Sequence, residues 1–527
     1  MKSTTACHSA FLFGLLLGLV GACAAAERFD AVFSTCWGGA NHEETRGITL
    51  DAEGNIYTTG RTDSPGFPTT PGAYDRTPTA RQGDIYAQKW TPQGQIVWST
   101  VIGGTGAGPA KGFSIRVDSA GFVYVAGEGC DGLPVTPGVF QPEFKGHHPP
   151  NISAPACGFI AKIKPDGSDL VWLSYCGTYY EHRDMTMDSQ GDIYVTSGWD
   201  PASAQQAMPA QWFTNAFQKT PSGGKDFVII KVKGDGSRVL WATYLGGSAD
   251  DSGAGSVRVD ADGYVYALTS TKSDDIPILP GGVGRPRTGK EDYYLAKLTP
   301  DGSGLVYGTC LGGSGGEFLG THSLDVDSHG NAYVSCFTNS SDFPTLPGAF
   351  QTARKGSSDT FVSKFSPIGA LVASTLLGGN GADLTEGIAV TPTGEVIISG
   401  STDSTDFPVT PTALQHANAG GRDGCLAKLS NDLSTVLYAT YWGGSGEDSA
   451  RDTVADSAGN LYYAGQTQSP NFPLCAAAQA AFDGVTDLGL ARFAPQGAGH
   501  RLSPSEKERR RALFQTDENR TIAEGSE

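Results

Sequence analysis

Carboxylates recur in this sequence at a spacing that suits cation binding. Each of seven Gly-Gly or Gly-Thr steps opens a short loop. In six of those loops an acid stands a few residues on: Glu43, Glu181, Asp250, Glu317, Asp383 and Glu447. Glu44, Asp251 and Asp448 stand beside three of them, and the second loop, Gly103 to Gly112, has none. Two readings stand open. The acids cap backbone N–H groups in Gly-rich loops, or they form a ring that binds a cation or a basic ligand. For a cation, calcium comes first, because it favours flexible carboxylate and carbonyl oxygens. A second acidic set, Asp51, Asp118, Asp188, Asp260, Asp327 and Asp456, lies in Asp-x-x-Gly steps and reads as turn chemistry. Other chemistry is hard to find. The chain has no HExxH, GxSxG, Walker loop or dinucleotide-binding glycine pattern. His147-His148 sits on a Pro-rich stretch and reads as an exposed pair. No pair of acids is singled out as a glycosidase or lyase pair, and no catalytic residue is assigned.

The elements that position the acids are repeats. Trp37-Gly38-Gly39 returns as Ile102-Gly103-Gly104, Cys176-Gly177-Thr178, Leu245-Gly246-Gly247, Leu311-Gly312-Gly313, Leu377-Gly378-Gly379 and Trp442-Gly443-Gly444. A regular period of this length means a repeat architecture. After each Gly-Gly come two short alternating stretches split by a tight turn, as in Gly47 to Gly60 and Asp452 to Gly465. These are strands A and B. A long Pro-rich loop follows, often with Phe-Pro (Phe67-Pro68, Phe343-Pro344, Phe407-Pro408, Phe472-Pro473). Strand C, a Pro-Asp-Gly type turn and strand D complete the unit. Four antiparallel strands cannot bury both faces alone, whereas radial stacking of units does so and leaves only short edges. The expected fold is therefore all-β, a seven-bladed β-propeller of four-stranded antiparallel blades. The last unit lacks a strand D and the chain begins with an unpaired one, Phe29 to Trp37, so the N-terminal strand should close the last blade on residues 488–493. One strand D position reads Phe33, Trp98, Trp172, Trp241, Tyr307, Ala373, Tyr438. That stripe is expected to pack between neighbouring blades.

Composition agrees. Gly is 72 of 527 residues and charged residues are only 17%, which suits short strands and tight turns. The net charge of −18 is the wrong sign for a phosphate-binding surface, so no nucleic acid partner is expected. Residues 1–26 read as an export signal: Lys2, an apolar run from Phe11 to Val20 too short to span a bilayer, then small residues. Cleavage before Glu27 competes with a lipobox ending at Cys23, which would leave a lipid-anchored N-terminus. No other stretch is long and apolar enough to cross a membrane. Export permits disulfides, and Cys130 with Cys157 is the candidate pair, at the two ends of the long loop of the second unit. The propeller is bounded at 27–497, and residues 498–527 form a charged tail.

The pattern Tyr-Leu-Gly-Gly-Ser, then Asp-x-x-Gly-Asn-x-Tyr-x-x-Gly, then Phe-Pro resembles the bacterial SBBP β-propeller repeat. Thr440-Tyr441-Trp442-Gly443-Gly444-Ser445 running to Phe472-Pro473, and Thr375-Leu376-Leu377-Gly378-Gly379 running to Phe407-Pro408, carry it best. The resemblance covers nearly all of residues 29–497 and implies an extracytoplasmic propeller, with no catalytic residues to carry over. The third unit departs most, with Gly177-Thr178 for Gly-Gly and Met208-Pro209 for Phe-Pro. The expected function is a secreted, periplasmic or surface-attached module, monomeric, binding a protein or glycan partner. The alternative is a polysaccharide lyase or hydrolase using the central funnel. The long B–C loops and the acidic D–A loops share one face. That face is expected to bind the ligand, with the acids drawing a negative potential towards the channel mouth.

Overall fold

The computed structural model describes residues 26–496 apart from 80–82, 107, 147–154, 178–181, 202–207, 280–284 and 319, with backbone alone for 252–254. The export signal, the lipobox Cys23, the tail 498–527, His147, His148 and Glu181 therefore lie outside the described residues. Seven antiparallel sheets follow one another, each with strand order A-B-C-D from the axis outward. In the first blade these are Glu43–Leu50, Ile56–Thr62, Asp84–Trp90 and Ile96–Ile102. In the fifth blade strand A is split into Glu317–Phe318 and Leu324–Val326, both paired with strand B, Ala332–Thr338. Among the described residues no helix is long and apolar enough to cross a membrane.

The ring closes as the unpaired strands require. Phe29–Trp37 pairs antiparallel with Asp487–Pro495, strand C of the seventh blade, with Trp37 opposite Leu488 and Phe29 opposite Pro495. The N-terminal strand thus supplies the seventh strand D and covers an edge that would otherwise expose unpaired backbone groups.

Alternation along the strands places apolar side chains on both faces of each blade, and seven buried clusters fill the seams between neighbours. The strand D stripe lies in these seams. Trp98, Trp172 and Trp241 lie flat against Gly167, Gly236 and Gly302 in the C–D turn of the following blade, where an added Cβ would fall within 2.6 Å of each ring. Trp98 Nε1 also donates to the Pro165 carbonyl at 3.0 Å. One seam inverts the pattern. Ala373 replaces the aromatic residue, and the facing turn carries Leu433 instead of glycine, at φ 60° and fully buried. The leucine fills the space the missing ring would occupy, at the cost of a left-handed backbone.

The Asp-x-x-Gly acids are turn residues. Asp51 accepts from Glu53 N, Asn55 N and the Tyr57 hydroxyl, and Asp118, Asp188, Asp260, Asp327 and Asp456 repeat the tyrosine bond. The expected Cys130–Cys157 bridge is absent: both are free, buried thiols. Strand pairing gives the reason. Cys157 is opposite Gly129, so Cys130, one residue on, points to the other side of the blade. Its sulfur faces Gly104 of the first blade, whereas Cys157 Sγ donates to the Gly177 carbonyl at 3.4 Å.

Candidate functional site: blade junctions and channel mouth

The nine acids singled out in the Gly-Gly loops divide into groups. Glu43, Asp251, Glu317, Asp383 and Asp448 open strand A and are buried, none more than 1% exposed. Each caps the second Gly of its loop. Gly39 N donates to Glu43 at 3.0 Å, Gly313 N to Glu317 at 3.3 Å, Gly379 N to Asp383 at 2.8 Å, and Gly444 N to Asp448 at 2.7 Å. Gly247 N does the same for Asp251 at 2.6 Å. Hydroxyls at the end of strand B complete the cap, as Thr338 and Ser340 do on Glu317. Asp250 and Glu447 are exposed, and Glu44 is half-buried.

Each buried acid meets a partner that the loop pattern did not reveal. An aspartate opens strand C of the preceding blade, giving the pairs Asp226–Asp251, Asp292–Glu317, Asp359–Asp383, Asp423–Asp448 and, across the ring closure, Asp487–Glu43. The first Gly of each step forms the floor under the pair. A Cβ on Gly38 would lie 2.4 Å from Asp487 Oδ1 and 2.5 Å from Glu43 Oε2. On Gly443 it would lie 2.8 Å from both Asp423 and Asp448. Both carboxylates therefore crowd one small space that only glycine leaves open. Burial, reinforced by the neighbouring acid, pushes Asp423, Asp487 and Glu317 up to about 7. The same causes push Asp226 and Asp383 up to about 6.

Two junctions lack the pair. At one, Ala110 stands before strand A where the acid opposite Asp84 would be; at the other, Cys157 replaces the strand C aspartate and the His182 ring lies against Gly158, between the Cys176 and Thr196 carbonyls. Strand C opens with aspartate in six of seven units. That recurrence was the signal that could have revealed the partners.

Nearer the axis the charge reverses. Among the described residues, the loop-face mouth carries Arg46, Lys111, Arg183 and Arg451 against Glu44 and Glu386. Arg46 and Lys111 both pair with Glu44, and Arg451 pairs with Glu386 at 2.8 Å. Arg46, Lys111 and Arg183 surround the Phe113 ring at 5.5, 5.3 and 5.9 Å. Burial raises Glu44, but Arg46, Lys111 and Arg451 outweigh it and hold it at about 2. Glu44 is the one described candidate acid at this mouth, and it is already neutralised.

Below the mouth the axis is sealed. The irregular strand A of the fifth blade carries His322 into the centre. Its Nε2 lies 2.8 Å from the Arg46 carbonyl and 3.1 Å from the Phe113 carbonyl, and its Nδ1 lies 3.2 Å from Asp184. Asp184, fully buried, also takes Arg116 and Arg258, and Asp452 stands 3.6 Å from His322. Burial alone would lower His322, but Asp452 and Asp184 outweigh it and raise it. Burial opposes ionisation of Asp184, yet Arg258, His322 and Arg116 hold it far below the usual carboxylate range. His322 and Asp184 come from the fifth and third blades, whose strand A departs from the repeat, so no repeat pattern marked them.

Residues 39–68 match the SBBP family, a beta-propeller repeat, in agreement with the architecture. No curated protein matches the chain. Among solved structures, a Dyadobacter fermentans protein of unknown function is similar at 9% identity and TM-score 0.42, covering 89% of this chain and 99% of that one. A PL25 ulvan lyase is similar at 11% identity and TM-score 0.43, covering 88% and 94%. BamB from Moraxella catarrhalis is similar at 10% identity and TM-score 0.34, covering 88% and 99%. No residue role passes from these to this chain.

Proposed function

We propose that this chain, a seven-bladed propeller carrying the SBBP repeat, is an exported binding module. Its ligand is an acidic group, carboxylate or sulfate, on an extracytoplasmic protein or glycan. The observation that carries this reading is the basic mouth above a closed axis, in a chain whose overall charge is −18. Among the described residues the mouth's two carboxylates, Glu44 and Glu386, are spent on Arg46, Lys111 and Arg451. Guanidinium groups suit bidentate recognition of carboxylate and sulfate. The long loops share that face, where a rigid scaffold usually displays recognition. This replaces the basic ligand expected from the loop acids, because five of them are turned into the blade junctions and Glu44 is paired with Arg46 and Lys111. A lyase or hydrolase needs unlike groups with room for substrate, and the unlike groups on the axis, His322 and Asp184, are engaged with each other.

The test is calorimetric titration of neutral, uronate-bearing and sulfated oligosaccharides. The acidic ones should bind, more weakly as salt rises, and Lys111→Gln with Arg451→Gln should weaken binding at least about tenfold, roughly one lost charge-assisted bond. Binding of neutral sugars or basic peptides that survives these changes would overturn the ligand class. Turnover of a uronate polymer to unsaturated products would establish the enzyme instead. Intact mass tests export: the mature chain should begin at Glu27 or at an acylated Cys23, and one that still begins at Met1 contradicts it.

A further inference from the structure

We propose that the paired carboxylates at five blade junctions are calcium sites, so that the ring is cross-braced by ions between neighbouring blades. Capping a Gly-Gly loop needs one acid, yet each of these junctions buries two. Among the described residues no ion pair reaches any of the ten carboxylates, although buried Asp184 and the mouth acids Glu44 and Glu386 all have basic partners. Buried charge without a partner is strongly disfavoured. Moreover, a buried oxygen at four of the five junctions has no hydrogen-bond partner: Asp226 Oδ1, Glu317 Oε2, Asp423 Oδ1 and Asp487 Oδ1. The remaining oxygens of these acids accept from N–H and hydroxyl donors, so four of the pairs are held in place with an oxygen still unpartnered; at Asp359–Asp383 all four oxygens accept hydrogen bonds.

The chemistry suits a hard cation. The donors are carboxylate oxygens with peptide carbonyls close by. At the Asp292–Glu317 junction the Gly313 and Gly315 carbonyls lie beside Gly289, whose N–H donates to Asp292 Oδ1 at 2.9 Å. Among the described residues no three His, Cys, Asp or Glu side chains converge. Two carboxylates with carbonyls and water therefore make the set, as flexible calcium coordination allows and strict octahedral magnesium does less readily. Among the described residues two junctions supply an internal control, since Asp84 has Ala110 in place of the second acid and the Cys157–His182 junction has neither acid. The inference does not depend on which ligand the mouth takes.

The experiment uses the full mature chain, stripped with EDTA and held at pH 8. Calcium should raise the melting temperature saturably, on the order of 10 °C at an excess of about 100 Kd, because several native-state sites fill together. Magnesium should do much less. Equilibrium dialysis should give four to five calcium ions per chain, and Asp423→Asn with Asp448→Asn should remove one. Terbium provides a second readout, since Trp442 adjoins the Asp423–Asp448 pair and should sensitise its emission. Should that variant fail to fold, Asp226→Asn with Asp251→Asn tests another junction by the same count. An unchanged melting temperature in calcium, together with a rise on acidification, would mean that each pair holds only a shared proton, and the proposal would fall.

Discussion

Five junctions bury a pair of acids, and among the described residues the other two do not; at one of those two the first Gly of the step, Gly177, stands at φ 72°. At the Asp84–Ala110 junction the Gly104 N–H is served by the Cys130 sulfur instead of a carboxylate. At the Cys157–His182 junction Gly177 N donates to Gln141 Oε1 at 3.0 Å, as the first Gly does to a glutamine at four paired junctions, and the His182 ring lies against Gly158. The loop can therefore close without a carboxylate pair, and closing it does not explain why five blades keep two like charges in contact. The pairs bring a cost that the other two junctions avoid, and such a cost is expected where a ligand or proton offsets it.

The largest effect lies at the junction that also closes the ring. Removing residues 27–39 takes away strand D of the seventh blade and, with it, Phe29 and Phe33 from two seams. It also takes the Gly38 floor of the Asp487–Glu43 pair. The truncated chain should aggregate or lose its cooperative melt, measured by scanning calorimetry. A variant that melts like the intact chain would show that the closure carries little of the stability.

Next comes pH, in calcium-free buffer. The unfolded carboxylates titrate near 4, whereas the folded Asp226 and Asp383 titrate at about 6 and Glu317, Asp423 and Asp487 at about 7. Between those values the folded chain holds more protons than the unfolded one. The stability these groups contribute is full below pH 4 and is lost as pH rises through 6 to 7. Each group contributes about 1.4 kcal/mol for every tenfold by which folding tightens its hold on the proton. Denaturant midpoints should therefore fall from pH 5 to pH 8. The depressed acids, Glu44 and Asp184, act in the opposite sense and only below about pH 4. Asp423→Asn should flatten part of the slope. A flat profile between pH 5 and pH 8 would mean that the pairs are not titrating.

A smaller effect separates the junction floors. Gly246→Ala would put a methyl 1.8 Å from Asp226 Oδ1, whereas Gly177→Ala meets nothing nearer than 3.3 Å. The first should cost about 1–3 kcal/mol by overpacking. The second should cost about 1 kcal/mol, from its positive φ alone. Equal losses in urea titrations would show that backbone conformation rather than the facing acids selects glycine.

Much of this architecture was legible in the chain. The Gly-Gly period, the Asp-x-x-Gly turns and the unpaired Phe29 strand are local signals, most of them repeated blade after blade, and they specify strands, blade number and closure. The acids were legible as a set but not in their places. Glu43 and Glu44 are neighbours in sequence, yet strand alternation sends the first into the junction and the second to the mouth. Which of two adjacent acids turns inward depends on where the strand starts, and the loop spacing does not settle that. His322 and Asp184 were invisible for the opposite reason. They belong to blades that depart from the repeat, and a reading built on repetition discards what occurs once.

The finest distinction concerns the Asp84–Ala110 junction. Cys130 occupies the place taken by Ser64, Ser273, Ser340, Ser404 and Ser469 elsewhere, each of whose Cβ atoms or hydroxyls faces the second Gly. Those serines lie against the junction acid, and Ser469 donates to Asp448 at 2.6 Å. With Ala110 in the acid's place a serine would have no such acceptor, and a thiol, a weak donor with low desolvation cost, fits better. Cys130→Ser alone should therefore cost about 1 kcal/mol, the usual penalty for an unmatched buried hydroxyl. Ala110→Asp alone buries a second acid beside Asp84 without its serine and should also destabilise. Together they rebuild the common arrangement, so a double-mutant cycle should give a favourable coupling of about 1 kcal/mol. Additive losses would mean that the thiol and the missing acid are unrelated, and that this junction differs from the five paired ones by more than one exchanged hydrogen bond.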